Sequence, residues 1–496
     1  MVLDSLTEPG AGAPLREEDF RLTCLNGFGD GWNHYAHSAA WFDGKLYVGT
    51  SRANFAALRL AGERPGVNPW PIECPADLYD LDRRAQIWEY TVETDTWRMV
   101  FRSPIVHGNN GRDDVPSYIG LRGMAVIQAT GDHKPCLYVS TWSPHTAHSP
   151  DVLRSEDGQH FAPIARPRFG AAVRTCRALE LFDGRVHLSP TGSGTKKGFV
   201  QDIGSEAIVY ANADLRRDSW APSNEEGFGN PANATVFEIA QFDGHLYGGT
   251  VNPTTGTEVW KTRGGDLPYR WTPVIKNGAG RGRNNEGSGS MCEFRGALYI
   301  GCGIINGGFH RSAGIGPAAA ELIRVWPDDS WDLIMGEART TDQGLKVPLS
   351  GHGPGFDSLF NGYIWRMCVH DGWLYVGTFS WINLLPYLAI PSWPEDMVAL
   401  VRRWGVEELV ARRGGAELWR SPDGVHWEVV TGNGFGNKFN WGIRNLISTS
   451  HGLFVATANP FGPKVALKRN GHWSYEPNPR GGCEVWLGRH GSMADA

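Results

Sequence analysis

The chain has 496 residues, a formal net charge of −6 and no block of lysine or arginine, which argues against nucleic-acid and anionic-membrane partners. No stretch approaches the ~18 apolar residues of a membrane span. The eight cysteines include no Cys-x-x-Cys, so reduced thiols and a cytoplasmic location are expected.

Residues 1–18 carry Asp4, Glu8 and Pro9 and no apolar run, and read as a flexible N-terminus rather than a secretory signal. A strand is predicted at Phe20 to Cys24. From there one pattern recurs: an apolar strand, a tight turn, and a second strand ending in small residues. The clearest copies turn at Asp43-Gly44, Asp243-Gly244 and Asp371-Gly372. Weaker ones run through Tyr138, Asp183-Gly184, Tyr299 and Phe454. Asp-Gly between apolar runs is a hairpin signal, because Gly supplies the positive φ of the turn. A third strand opens at Gln86, Asp151, Glu206, Glu258, Glu321, Glu417 and Glu484. An outer strand follows with Trp97, Phe161, Trp220, Trp271, Trp331 or Trp427, but none follows Trp486. Four strands per repeat, at a period of roughly 40 to 70 residues, predict an all-β, seven-bladed β-propeller with four-stranded antiparallel blades. The strand at Phe20 to Cys24 is expected to complete the last blade and close the ring, removing exposed edges. The propeller is assigned to residues 19–490, with a disordered tail at 491–496.

Two turns, Ser155-Glu156-Asp157-Gly158 and Ser421-Pro422-Asp423-Gly424, resemble shortened Asp-boxes of sialidase-type propellers. The Phe-Asp-Gly-x-Leu-Tyr-x-Gly-Thr hairpins are similar to kelch repeats. The resemblance covers nearly the whole chain and implies the fold, not an activity. A sialidase would have six blades and full Asp-box spacing, and this chain departs from both.

Long connections leave the second strands at 51–85, 143–150, 191–205, 303–320 and 380–416, which places them on one face. Long loops on a rigid scaffold are where binding and catalysis concentrate. The stretch 395–412 carries a helical stripe of Met397, Val398, Val401, Trp404, Leu409 and Val410, and 380–416 is read as a lid over the central funnel.

Features repeated in every blade read as structural. The acids that open each third strand are expected to satisfy loop N–H groups rather than bind metals. The motif Gly-Phe-Gly-x-x-x-Asn at 27–33, 227–233 and 434–440 suits tight turns with a local Asn bond. Departures from the repeat lie at the start of the innermost strands. There Arg122, Arg177, Arg366 and Arg444 reach similar depth, with Glu238, and guanidinium forks suit an anion. His37 and His34 are the candidate proton-transfer groups, with Tyr35 and Tyr363 as further donors. His145 and His148 lie in the adjacent loop as substrate contacts. With His34 and His37 they offer a weak alternative as a divalent-metal site, although three-residue spacing in a strand turns each pair to opposite faces. No cofactor is expected, since no nucleotide, zinc or nucleophile-elbow motif occurs.

The sequence thus predicts an intracellular propeller enzyme acting on an anionic or polyhydroxylated small molecule by acid–base chemistry. Elimination by a lyase, cyclisation and related biosynthetic tailoring fit these groups, in broad analogy to propeller lyases and cyclases. The alternative is a non-catalytic binding scaffold, with every Arg consumed in a structural pair.

Overall fold

The computed structural model describes residues 12–490 except 62–65, 165–168, 171–172, 195–199, 202–205, 218, 306, 311–312 and 389–394. The expected tail at 491–496, and residues 1–11 of the expected flexible N-terminus, lie outside the described residues. The fold is mostly β and propeller-like, built from consecutive antiparallel four-strand units. In the first unit, Asn33–Phe42, Lys45–Arg52, Gln86–Thr91 and Thr96–Arg102 pair in that order. The order recurs in units whose first strands are Gly120–Ile127, Val173–Phe182, Thr235–Phe242, Gly287–Phe294 and Asn361–His370. In the last, Gly442–Thr449 and Gly452–Ala458 are followed by Val485–Gly488. The outer place there is taken by Phe20–Cys24, with Phe20 opposite Gly488 and Cys24 opposite Val485.

The hairpin turns follow from their sequence. Asp43 and Gly44 have φ of 49° and 75°, and Asp371 and Gly372 have 47° and 79°, the paired left-handed geometry of a two-residue turn. The Asp-box-like turns are also local devices. Asp157 Oδ1 accepts the N–H groups of Gln159 and His160 at 2.8 and 2.9 Å, and Asp423 does the same for Val425 and His426.

The repeated Asn and acid form one latch. Asn440 Nδ2 donates to Gly434 O at 3.0 Å and to Glu484 Oε2 at 2.6 Å, while Trp486 Nε1 donates to the same carboxylate. Phe435 then stacks on Trp486 at 4.9 Å. Asn33 with Gln86, Asn233 with Glu258 and Asn361 with Glu417 repeat it. In these units the acid, or the Gln86 amide, binds an Asn side chain, not the loop N–H groups expected from the sequence. A loop N–H is bound by Glu206, from Gly170 at 2.9 Å, and by Glu321, which takes the Glu337 N–H at 2.8 Å as well as the Asn285 amide at 2.7 Å. The reason is geometric: the left-handed Gly-Phe turn brings the Asn amide over the start of the third strand.

First strands of successive units neighbour one another, and Gly442–Thr449 neighbours Asn33–Phe42. Six junctions carry a backbone bridge, such as Ser51 to Gly120, Phe379 to Gly442 and Ala458 to Tyr35. Between the third and fourth units the described residues show no such bridge; the Thr235 hydroxyl bonds Pro190 O and Gln241 Nε2 bonds Leu181 O, each at 2.9 Å, and farther out Tyr269 N bonds Ser223 O at 2.8 Å.

The predicted helix at 395–412 is two helices, Glu395–Trp404 and Val406–Arg413, broken at Gly405, whose φ of 78° no helix allows. Met397, Val401, Leu409 and Val410 pack into an aromatic cluster with the turn Ile382–Tyr387 and with Trp365, Trp441, Phe55 and Phe461. Trp404, placed in the stripe by periodicity, is exposed. No helix is long and apolar enough to cross a membrane.

Candidate functional site

Each first strand carries a β-bulge at an equivalent place. In the first unit Ala36 opposes Thr50 and Ser38 opposes Gly49, which leaves His37 as the bulged residue. The bulged residues of the other units are Arg122, Arg177 with Ala178, Phe237, Gly289, Trp365 and Arg444. A bulge re-aims a side chain out of the alternation of the strand, and these side chains meet. Arg444 lies over Trp365 at 5.5 Å, Arg177 over Phe237 at 3.6 Å and Arg122 over Trp142 at 5.6 Å. Arg177 Nη2 reaches Gly289 O at 3.4 Å, and the His37 ring lies 5.7 Å from Trp142.

The cluster is buried: Arg444 is 1% exposed, His37 and Arg122 4%, and Arg177 5%. Arg444 Nε and Nη1 and His37 Nδ1 are buried with no hydrogen-bond partner. Burial, and then the nearby Arg177, Arg366 and Arg122 charges, push the Arg444 guanidinium well below its usual pKa. His37 is held well below the usual imidazole range by burial and then by Arg444, Arg122 and Arg177, and is neutral at physiological pH. The carboxylate that approaches is Glu238, 3.9 Å from Arg177 Nε.

The sequence-predicted residues separate into two groups. His37, Arg122, Arg177 and Arg444 come together at the bulges. Arg366 and Glu238 lie one register further along, opposite Gly377 and Gly249. Arg366 still acts on Arg444, and also on the Cys292 and Cys368 thiols. Tyr35 is edge-on to Trp365 at 5.9 Å, and Tyr363 stacks on Phe379 at 4.6 Å. His34 lies elsewhere: its Nε2 donates to Gly462 O at 3.2 Å, and burial lowers its pKa to about 3. His148 packs edge-on to Tyr118 with Nδ1 on Ser149 O at 2.7 Å, and His145 O accepts from Asn109. Among the described residues no three His, Cys, Asp or Glu side chains are placed to hold a metal ion, including the set His34, His37, His145 and His148.

Sequence reasoning missed Trp365 and Phe237, the aromatic floor under two guanidiniums. It also missed Glu180, whose carboxyl is raised to about 7 by burial and then by its hydrogen bond with Gln241 and the Glu238 charge acting in opposite senses. Gln241 Nε2 donates to Glu180 Oε2 at 3.0 Å. Alternation counted along a regular strand could not find the aromatic pair, because the bulge shifts the count by one.

No protein-family profile and no curated protein matches the chain. Among solved structures, a puromycin-hydrolyzing peptidase of Mycobacterium tuberculosis aligns over 96% of this chain and 56% of its own, at 11% identity and a TM-score of 0.44. A GH74 xyloglucanase from Xanthomonas campestris aligns over 94% and 56%, at 14% identity and a TM-score of 0.44. An alpha-L-arabinofuranosidase from Clostridium thermocellum aligns over 62% and 94%, at 10% identity and a TM-score of 0.31. The chain spans little more than half the length of the first two. Similarity at that level carries neither a family nor an activity to this chain.

Proposed function

We propose that residues 19–490 are one seven-bladed propeller closed by the N-terminal strand, and that its axis is the active site of an enzyme acting on a small anion. The observation that supports this best is Arg444, buried beside Arg122, Arg177 and Arg366 with two guanidinium nitrogens lacking a hydrogen bond. Like charges gathered in a buried site cost stability unless an anion neutralises them. A scaffold whose arginines are all consumed by structural pairs does not account for Arg444. The anion sits on the guanidiniums, and proton transfer falls to His37, with Tyr35 and Tyr363 nearby. Elimination and cyclisation remain the reactions these groups fit, because both remove a proton beside an acidic group held by cations. The aromatic segment at 381–388 and the two helices after it serve as the lid, since Trp365 belongs both to their cluster and to the bulge ring.

The test needs no prior substrate. A panel of hydroxy- and dicarboxylic acids is incubated with the protein in deuterium oxide and followed by proton NMR. Deuterium exchange into one of them, lost in His37→Ala with binding retained and lost with binding in Arg366→Ala, supports the reading. Binding without exchange across the panel favours the scaffold.

A further inference from the structure

We infer that a cavity between the first two units binds a small monocarboxylate on the guanidinium of Arg83. The cavity measures about 220 Å³. It lies between residues 79–84, at the end of the long connection of the first unit, and the hairpin formed by Ile105–Val106 and Val115–Pro116. It shares no lining residue with the axial cluster.

Arg83 is the group that selects a ligand. It lines the cavity and is 6% exposed. Its Nε is buried without a hydrogen-bond partner, and no ion pair holds it among the described residues. Burial lowers its pKa, and the nearby Tyr79 and Asp77 only partly offset that. A buried guanidinium in that position costs stability until an anion meets it. The other arginines in and beside the wall are already matched. Arg84 grips Asp82 at 2.9 and 3.2 Å, and Arg112 grips Asp114 at 2.8 and 2.7 Å. Tyr79 is fixed too. Its hydroxyl meets Thr146 at 3.0 Å and Asn110 at 3.2 Å, and Arg112 caps its ring at 4.0 Å. Arg83 lies 5.2 Å from the same ring. The site is therefore built before a ligand arrives.

One unmatched guanidinium calls for one negative charge, and a fork of Nε with its adjacent Nη suits a carboxylate. The carboxylates of Asp82, Asp114 and, at the exposed rim, Asp80 disfavour a second charge. Ile105 and Pro116 supply an apolar side, so the ligand carries an apolar body behind its carboxylate.

Saturation-transfer NMR of the full chain titrated with sodium benzoate tests this, with benzamide as the neutral isostere and sodium phthalate as the dianion. Benzoate should bind with a dissociation constant of about 1 mM or below. It should bind at least tenfold more tightly than benzamide or phthalate. Arg83→Met keeps the apolar stem and should weaken benzoate at least tenfold. Arg444→Met should leave benzoate binding unchanged, which separates this cavity from the axial site. Absent saturation, benzamide or phthalate bound as well as benzoate, binding that survives in Arg83→Met, or binding lost in Arg444→Met overturns the inference. Should Arg83→Met fail to fold, Ile105→Asp decides, because Ile105 is 48% exposed and tolerates a charge. A carboxylate in that wall should also weaken benzoate at least tenfold, and undiminished affinity overturns the inference.

Discussion

At the scale of single residues, the proposed anion site turns on Arg444. It is the most buried of the clustered arginines and two of its nitrogens lack partners. Arg444→Met keeps the apolar stem against Trp365 and removes the charge, so its melting temperature should equal or exceed that of the wild type. If the proposed anion site binds sulfate, the wild type should melt higher in sulfate and Arg444→Met should not. A large loss of stability in Arg444→Met would show instead that the guanidinium is structurally satisfied. Glu180 gives a second prediction. Its pKa of about 7 lies above the ordinary carboxyl value, so the folded protein holds a proton there that the unfolded chain has released. Stability should therefore fall as pH rises from about 4.5 to 7, by on the order of 1 kcal/mol after allowing for partial solvent access. Glu180→Gln should flatten that slope in denaturant titrations, and an unchanged slope would contradict the assignment. The arginines were legible in the sequence because they interrupt a repeat at one depth. Their partners were not: the bulge places Trp365, not Arg366, in the ring, and a one-residue shift is invisible to alternation.

At the scale of elements, the latch sets the spacing of the units that carry it. Asn440 ties the Gly-Phe-Gly turn to Glu484, and so joins the first strand to the third in a single buried contact. Asn440→Ala leaves Gly434 O short of a donor and Glu484 less well held. It should lower unfolding free energy by about 2–4 kcal/mol. Asn440→Asp should be worse, because it sets a second carboxylate against Glu484. Equal stability of the two variants in guanidinium titrations would refute the charge argument. Hairpins and third strands were legible because Asp-Gly and Glu-x-Trp are local signals. The added hairpin at Lys464–Arg469 and His472–Pro477 was not, because its fit depends on a distant partner: Ala466 N bonds Pro71 O, and Tyr387 OH bonds Ala466 O. The break at Gly405 was missed for the opposite reason, as the apolar stripe runs through it unchanged.

For the whole molecule, the termini share one unit, so removing residues 1–25 should abolish cooperative unfolding rather than trim a tail. An undiminished calorimetric transition in that truncation would rule out the closed ring. The junctions differ in kind. Among the described residues six carry a main-chain bridge between inner strands, whereas the third and fourth units are joined there by side chains, Thr235 on Pro190 O and Gln241 on Leu181 O, with Tyr269 N on Ser223 O farther out. Mechanically, that seam is stitched through side chains on its inner side. Outward strain parts those stitches first and draws Arg177 on one side away from Glu238 on the other. Deuterium uptake followed by mass spectrometry should therefore reach the Thr235–Phe242 strand before the other innermost strands, and sulfate, by pulling Arg177 inward, should slow exchange at that strand more than at any other.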